Sequence, residues 1–98
     1  MEIIDRKFKI NAVNPCNGNT YTEKDSLLLC AKDKAVPAAL RAYKEECARL
    51  GANVEHLESI ELLIGRVEKY QSEVESHIPD TVGKCEIARC INGEGVEN

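Results

Sequence analysis

Two apolar stripes of helical period, separated by a short polar turn and ended by a proline, constrain this fold more than any other feature. The first stripe advances in steps of four and three residues, as on one face of an α-helix, and consists of Val36, Leu40, Tyr43, Cys47 and Leu50. Pro37 suits a first helical turn, and Gly51 is a typical C-terminal stop. The sequence predicts helix one over residues 36–50.

The second stripe is longer and has one polar residue, Gln71, at a register position where an apolar one would fit. Asn53 can cap its start, and Pro79 ends it because the residue before a proline disfavours the α region. The stripe predicts helix two over residues 54–77, and its apolar members are Leu57, Ile60, Ile64, Val67, Val74 and Ile78, widened by Leu63 and Tyr70.

The short connection predicts an antiparallel helix pair, yet the two lengths differ. At 1.5 Å per residue helix one is about 22 Å long and helix two about 36 Å, so helix one ends opposite Val67. Two covers for the remainder stay open, the N-terminal hairpin or a second subunit. The second alternative predicts a homodimer whose interface contains Val67, Tyr70, Val74 and Ile78.

The N-terminal third predicts a β-hairpin. Residues 6–11 alternate polar and apolar, with Phe8 and Ile10 facing inward, as in a strand with one buried face. Asn17-Gly18 suits a type I′ turn, and Thr20-Tyr21-Thr22 has strand-favouring side chains. The predicted fold class is therefore α+β, an N-terminal β-hairpin packed against an antiparallel two-helix hairpin.

The remaining segments are less regular. The apolar run at residues 26–31 fits a strand or a helical turn equally, and it completes an N-terminal region of residues 1–31. Residues 85–91 fit a final strand or helical turn, and residues 92–98 read as a frayed tail. The length of 98 residues predicts a single domain over residues 1–98.

Charge and composition exclude several classes of function. The net charge of −4 makes a nucleic-acid-binding protein unlikely, since such proteins are usually basic. Residues 1–50 carry nine basic and seven acidic side chains (+2), and residues 51–98 carry four and ten (−6). The start lacks an apolar signal region, and no run is long enough to span a membrane. These features predict a cytoplasmic protein with reduced cysteines.

Cysteines and histidines offer little chemistry. Cys85 and Cys90 form one loosely spaced pair, and a structural zinc site would need Cys16 and Cys30 to complete four ligands. The two histidines lie near opposite ends of helix two, and no Walker loop or dinucleotide fingerprint is present. The sequence predicts no cofactor and no enzymatic activity, with a structural zinc domain as a minor alternative.

Lys32 and Lys34 precede the N-terminus of helix one, and Arg41 lies two turns further on. Free N–H groups and the helix dipole favour anions at such an end. These three side chains form the predicted ligand site for an anionic small molecule such as a nucleotide; ordinary solvated lysines are the competing interpretation.

Residues 20–29 (TYTEKDSLLL), 31–37 (AKDKAVP) and 62–71 (LLIGRVEKYQ) resemble small uncharacterised proteins of bacteriophage and prophage accessory regions. The resemblance implies a stoichiometric role, as an inhibitor of a host enzyme or a sponge for signalling nucleotides, and assigns no functional residues. The sequence thus predicts a non-enzymatic binding protein with a protein partner. Binding of a nucleotide-like anion is the alternative.

Overall fold

The computed structural model describes residues 2–80, which contain two strands and two helices. In chain order these are β1 (Asn11–Val13), β2 (Thr20–Thr22), α1 (Val36–Arg49) and α2 (Val54–Glu73). The described residues divide into two compact units, one of residues 2–28 with Asp80 and the other of Leu29–Pro79. The α+β class, with a hairpin and a helix pair, is confirmed. The predictions for residues 85–91 and 92–98 lie outside the described residues.

The hairpin is antiparallel and pairs Asn11 with Thr22 and Val13 with Thr20. Its turn is wider than the predicted two-residue type I′ turn. The Asn14 N–H donates to the Asn19 carbonyl at 2.8 Å, and the Asn14 carbonyl accepts from the Gly18 N–H at 2.7 Å. Gly18 has φ of 78°, and among residues 2–80 no non-glycine residue has positive φ. The type I′ prediction, which needs two adjacent residues with positive φ, is therefore wrong.

The strand predicted at residues 6–11 is also wrong, because side-chain carboxylates bond the backbone N–H groups there. Asp5 Oδ1 accepts from the amides of Lys7 at 2.9 Å and Phe8 at 2.8 Å. The Ile10 amide donates to Glu23 Oε1 at 2.8 Å. Ile10 is buried as predicted, whereas Phe8 is only half-buried. The alternation of polar and apolar residues at 6–11 therefore belongs to a loop folded by these hydrogen bonds and not to a strand of a sheet.

The apolar run at residues 26–31 is neither strand nor helix. Asp5 Oδ2 accepts from the Leu28 amide at 2.9 Å, which joins the end of the first unit to its beginning. The side chains of Leu27, Leu28 and Leu29 are all exposed. Neither alternative for this run was therefore correct.

Gly51 follows the end of α1, as predicted, and the turn between the helices has Schellman geometry. The Ala52 N–H donates to the Cys47 carbonyl at 2.9 Å, and the Gly51 N–H to the Ala48 carbonyl at 3.1 Å. Gly51 has φ of 87°, a left-handed conformation that glycine adopts without steric cost. This motif satisfies the last carbonyl groups of α1 and fixes the direction in which α2 begins.

Asn53 caps α2 as predicted, with its side-chain oxygen accepting from the His56 amide at 2.8 Å. The core between the helices is small and centres on the most buried side chain, Ile64, at 1% exposure. It consists of Cys47, Ile60 and Ile64, with Leu40, Ala52 and Leu57 packed against them. The predicted stripes therefore do form the helix interface, although Tyr43 and Leu50 stay exposed at its edge.

The helix α2 ends at Glu73 rather than at the predicted residue 77. Val74 is its C-cap, with φ of −116° and ψ of −69°, and its N–H still donates to the Tyr70 carbonyl at 2.8 Å. Val74 and Ile78 are 64% and 79% exposed. The expectation that the overhang, the part of helix two that extends beyond helix one, is buried throughout is therefore wrong. The chain beyond Val74 makes a different set of hydrogen bonds, described below.

Replacing Asn53 by alanine should lower the free energy of unfolding by about 1 kcal/mol, because the His56 amide would lose its capping oxygen. Urea unfolding followed by circular dichroism measures this change. Asn53→Asp keeps an acceptor and adds a negative charge at the N-terminus of α2; equal losses in both variants would contradict the capping role.

Truncating Ile64 to alanine should cost about 2–5 kcal/mol of unfolding free energy, since the helix pair has little other core to close over the cavity. Leu62→Ala is the matched control, because Leu62 lies on the same helix at 63% exposure. Thermal melts of both variants make the comparison. A cost for Leu62→Ala similar to that for Ile64→Ala would show that the core lies elsewhere.

Candidate interaction surface

The residues after α2, Val74–Ile78, form what we call the bridge segment, which pairs with the loop before α1. The His77 N–H donates to the Lys32 carbonyl at 2.7 Å, and the Lys34 N–H donates to the His77 carbonyl at 2.9 Å. Asp33 and His77 thus form a parallel β-bridge. These two bonds fix the backbone of the segment against the loop of the same unit.

Gln71 holds the same loop from the last turn of α2. Its side-chain Nε2 donates to the carbonyls of Ala31 at 2.9 Å and Asp33 at 2.7 Å. The predicted cover for the overhang was the hairpin or a second subunit, but within the second unit the cover is this loop. The signal in the sequence was the glutamine in the vacant register position, a polar residue where the stripe called for an apolar one.

Glu75 links the bridge segment to the side of α2. One carboxylate oxygen lies 2.9 Å from His77 Nε2, and the other accepts from the Tyr70 hydroxyl at 3.3 Å. The hydrogen bond from His77, with smaller contributions from Tyr70 and the charge of Lys32, lowers the pKa of Glu75. Partial burial, followed by the nearby Glu75 charge, raises the pKa of the Tyr70 hydroxyl. The carboxylate therefore stays ionised in neutral solution.

The predicted interface residues differ in how much of each side chain is free. Val67 is buried at 7% exposure inside the helix pair. Tyr70 is half-buried and bonded to Glu75. Only Val74 and Ile78 are largely exposed. The apolar surface offered by the end of α2 is therefore smaller than the stripe predicted, and it lies at the two ends of the bridge segment.

Each of the predicted anion ligands Lys32, Lys34 and Arg41 lies next to a side chain of α2 or of the bridge segment. Lys34 Nζ donates to Ser76 Oγ at 2.9 Å, and Arg41 pairs with Glu68 across the helix interface. Lys32 lies near the Glu75 carboxylate.

The N-terminus of α1 is also occupied, because Asp33 Oδ1 accepts from the Ala35 amide at 2.8 Å and the Asp33 carbonyl accepts from the Val36 amide. Pro37 has no N–H to offer. A carboxylate already sits where an anion would bind.

A shallow groove beside Arg41 lies on one flank of the helix pair. Lys44 Nζ is 2.8 Å from Glu61 Oε1 there, and the groove is lined by Arg41, Lys44, Glu45, Ala48 and Glu61. Such exposed ion pairs contribute little to stability because water screens them. They join α1 to α2 and leave little unpaired positive charge for a ligand.

The cysteines and histidines are spread over the molecule. Cys16 is exposed in the hairpin turn, and Cys30 is half-buried in the loop before α1. Cys85 and Cys90 lie outside the described residues. Within residues 2–80 no group of three or more potential ligands is placed to hold a metal. His56 packs edge-on against Tyr43 with ring centroids 6.2 Å apart, and His77 binds Glu75.

Comparison with known proteins gave no match: no family model fits the chain, and no curated protein or solved structure is similar to it. Among the described residues, no helix is both long and apolar enough to cross a bilayer.

The lowered pKa of Glu75 should be visible as a carboxyl titration below the ordinary range of glutamate. A depressed folded-state pKa contributes stability above the unfolded value, and that stability is lost as the pH falls through the folded value. The gap in urea midpoint between wild type and Glu75→Gln should therefore shrink in acid.

Carboxyl ¹³C NMR measures the titration, with His77→Ala and Tyr70→Phe as paired variants. The His77 variant should raise the pKa of Glu75 more, because that hydrogen bond is the larger cause. A larger effect from Tyr70→Phe would reverse the assignment.

Proposed function

We propose that the chain is a non-enzymatic, stoichiometric protein-binding domain, and that Val74 and Ile78 are the side chains by which it binds. The observation that carries this is their exposure, 64% and 79%, at either end of a segment whose backbone is hydrogen-bonded to the loop before α1. Single exposed apolar residues are ordinary. Two that flank one hydrogen-bonded segment, next to an acidic rim, are candidates for the anchors of an interface.

The charge around the anchors supports a particular partner. Glu73 and Glu75 adjoin Val74 on either side in the sequence. Charged rims give an interface its specificity and speed its association. The complementary surface is therefore an apolar pocket with basic residues around it.

The same charges favour a different protein over a second copy of this chain. A twofold contact between two α2 ends would place acidic side chains opposite each other, which costs free energy. Val67 and Tyr70, half of the predicted homodimer interface, are already engaged within the chain. The homodimer stays a prediction that light scattering on the wild-type chain tests directly.

The resemblance to phage accessory proteins suggests the form that the binding takes, inhibition of a host protein by occupation of a functional groove. The alternatives lack a supporting observation. Lys34 and Arg41 are paired with Ser76 and Glu68, so anion binding stays a prediction. A zinc domain would need Cys85 and Cys90, which lie outside the described residues.

Replacing Val74 and Ile78 together by glutamate should weaken binding of the native partner by at least about tenfold, as loss of buried anchor residues does. The measurement is quantitative mass spectrometry of proteins retained by the tagged chain, followed by titration of the retained protein. Leu62→Glu is the matched control, since Leu62 is 63% exposed and faces away from the core stripe of α2.

Equal retention by the Val74/Ile78 variant and the Leu62 variant would refute the proposed surface. Circular dichroism of both variants checks that α1 and α2 remain folded.

A further inference from the structure

The helical pattern of the sequence continues past the point at which the helix ends. Val74 and Ile78 are in register with Val67 and Gln71, and residues 71–78 contain no glycine or proline before Pro79. The helix nevertheless ends at Glu73. Residues 71–77 contain no residue type that forbids a helix, and only Ile78, which precedes Pro79, disfavours the α region. The early end of α2 coincides with the hydrogen bonds of His77 to the loop before α1.

A continued helix would give the backbone of the bridge segment a different set of hydrogen bonds from the one in the structure. In a continued helix the amides of Glu75, Ser76 and His77 would donate to carbonyls four residues earlier. In the structure, the His77 amide and carbonyl bond to Lys32 and Lys34 instead. Side-chain bonds of Glu75 and Ser76 supplement these two. A small external interaction can shift a segment between two such sets of hydrogen bonds.

The conformations differ most in the spacing of the two anchors. In a helix Val74 and Ile78 would be about 6 Å apart along the axis, on one face. In the extended bridge they can stand up to about 13 Å apart. Only the helical form presents them as neighbouring i and i+4 anchors, the pattern with which an amphipathic helix fills an apolar groove.

We propose that residues 74–78 are a fold-on-binding extension of α2, which leaves the loop before α1 and docks as a helix in a partner's apolar groove. This inference rests on the proposed function, because it names how the same two side chains are used. The acidic Glu73 and Glu75 then lie beside the anchors and face a basic rim of that groove. Gln71 keeps its bonds to Ala31 and Asp33, since it is helical in both forms.

Weakening the bridge in the free chain tests the extension without a partner. Lys34→Ala with Glu75→Ala removes the side-chain bonds to Ser76, His77 and Tyr70. The helical population of residues 75–77, measured by their Cα and carbonyl NMR shifts, should rise at least about threefold. The matched control, Lys44→Ala with Glu61→Ala, removes another lysine–glutamate pair and should leave those shifts unchanged. Shifts that stay extended, or move to random-coil values, overturn the inference.

A proline at position 76 tests the same inference by blocking the helical conformation. The Ser76 amide makes no hydrogen bond in the described part of the chain, so Ser76→Pro leaves the backbone bonds of the bridge in place, whereas a helix through residue 76 is blocked. Ser76→Ala is the control, because it also loses the bond to Lys34 and yet permits a helix. The proline should abolish the helical shifts in the Lys34/Glu75 variant, and alanine should not.

The same pair of variants distinguishes the two proposals in binding. Against the retained partner protein, Ser76→Pro should bind at least about tenfold more weakly than Ser76→Ala. If both bind alike while the Val74/Ile78 variant does not bind, the extension is refuted and the proposed function stands. If the Val74/Ile78 variant binds normally, the proposed function fails, and the NMR shifts still decide whether the segment can become helical.

Discussion

The unequal length of the two helices is the constraint on which the second unit depends. The helix α2 has 20 residues and α1 has 14, a difference of 6 residues or about 9 Å. One end of α2 thus has no partner helix. The loop before α1 supplies the cover, because its carbonyls at Ala31 and Asp33 accept both N–H groups of Gln71.

Polar side chains in place of regular secondary structure satisfy much of the backbone in this chain. Asp5 and Glu23 accept amides of the N-terminal loop, Asn53 caps α2, and Gln71 donates to the loop before α1. Each of these side chains bonds the backbone at one place, whereas the hydrogen bonds of a β-ladder are spread over many residues. An irregular segment held this way is ordered by a few side chains, so its conformation depends on them individually.

The helix pair could be predicted from the sequence because its signals are local or periodic. The apolar stripe, Pro37, Gly51 and Asn53 each act within one or two turns, and each is found where the pattern placed it. The predictions failed where a contact joins residues distant in sequence. The bond from Ile10 to Glu23 replaced a strand, and the bonds between Lys32, Lys34 and His77 shortened α2. An apolar period of 3.6 residues indicates where a helix can form. It contains no information on a segment more than 40 residues away that competes for the same backbone groups.

The candidate surface shows the same division. Val74 and Ile78 were found by their register, but Glu75, Ser76 and His77, which hold them in place, had no pattern to reveal them. Their hydrogen bonds hold the backbone between the two exposed aliphatic side chains outside the helix. If the segment became helical, Val74 and Ile78 would lie on one face and form a contiguous apolar patch of the kind that promotes aggregation. The free energy of breaking the bridge would then be subtracted from every binding event. A partner with a matching groove can supply that free energy, whereas a nonspecific apolar surface that contacts one anchor at a time cannot.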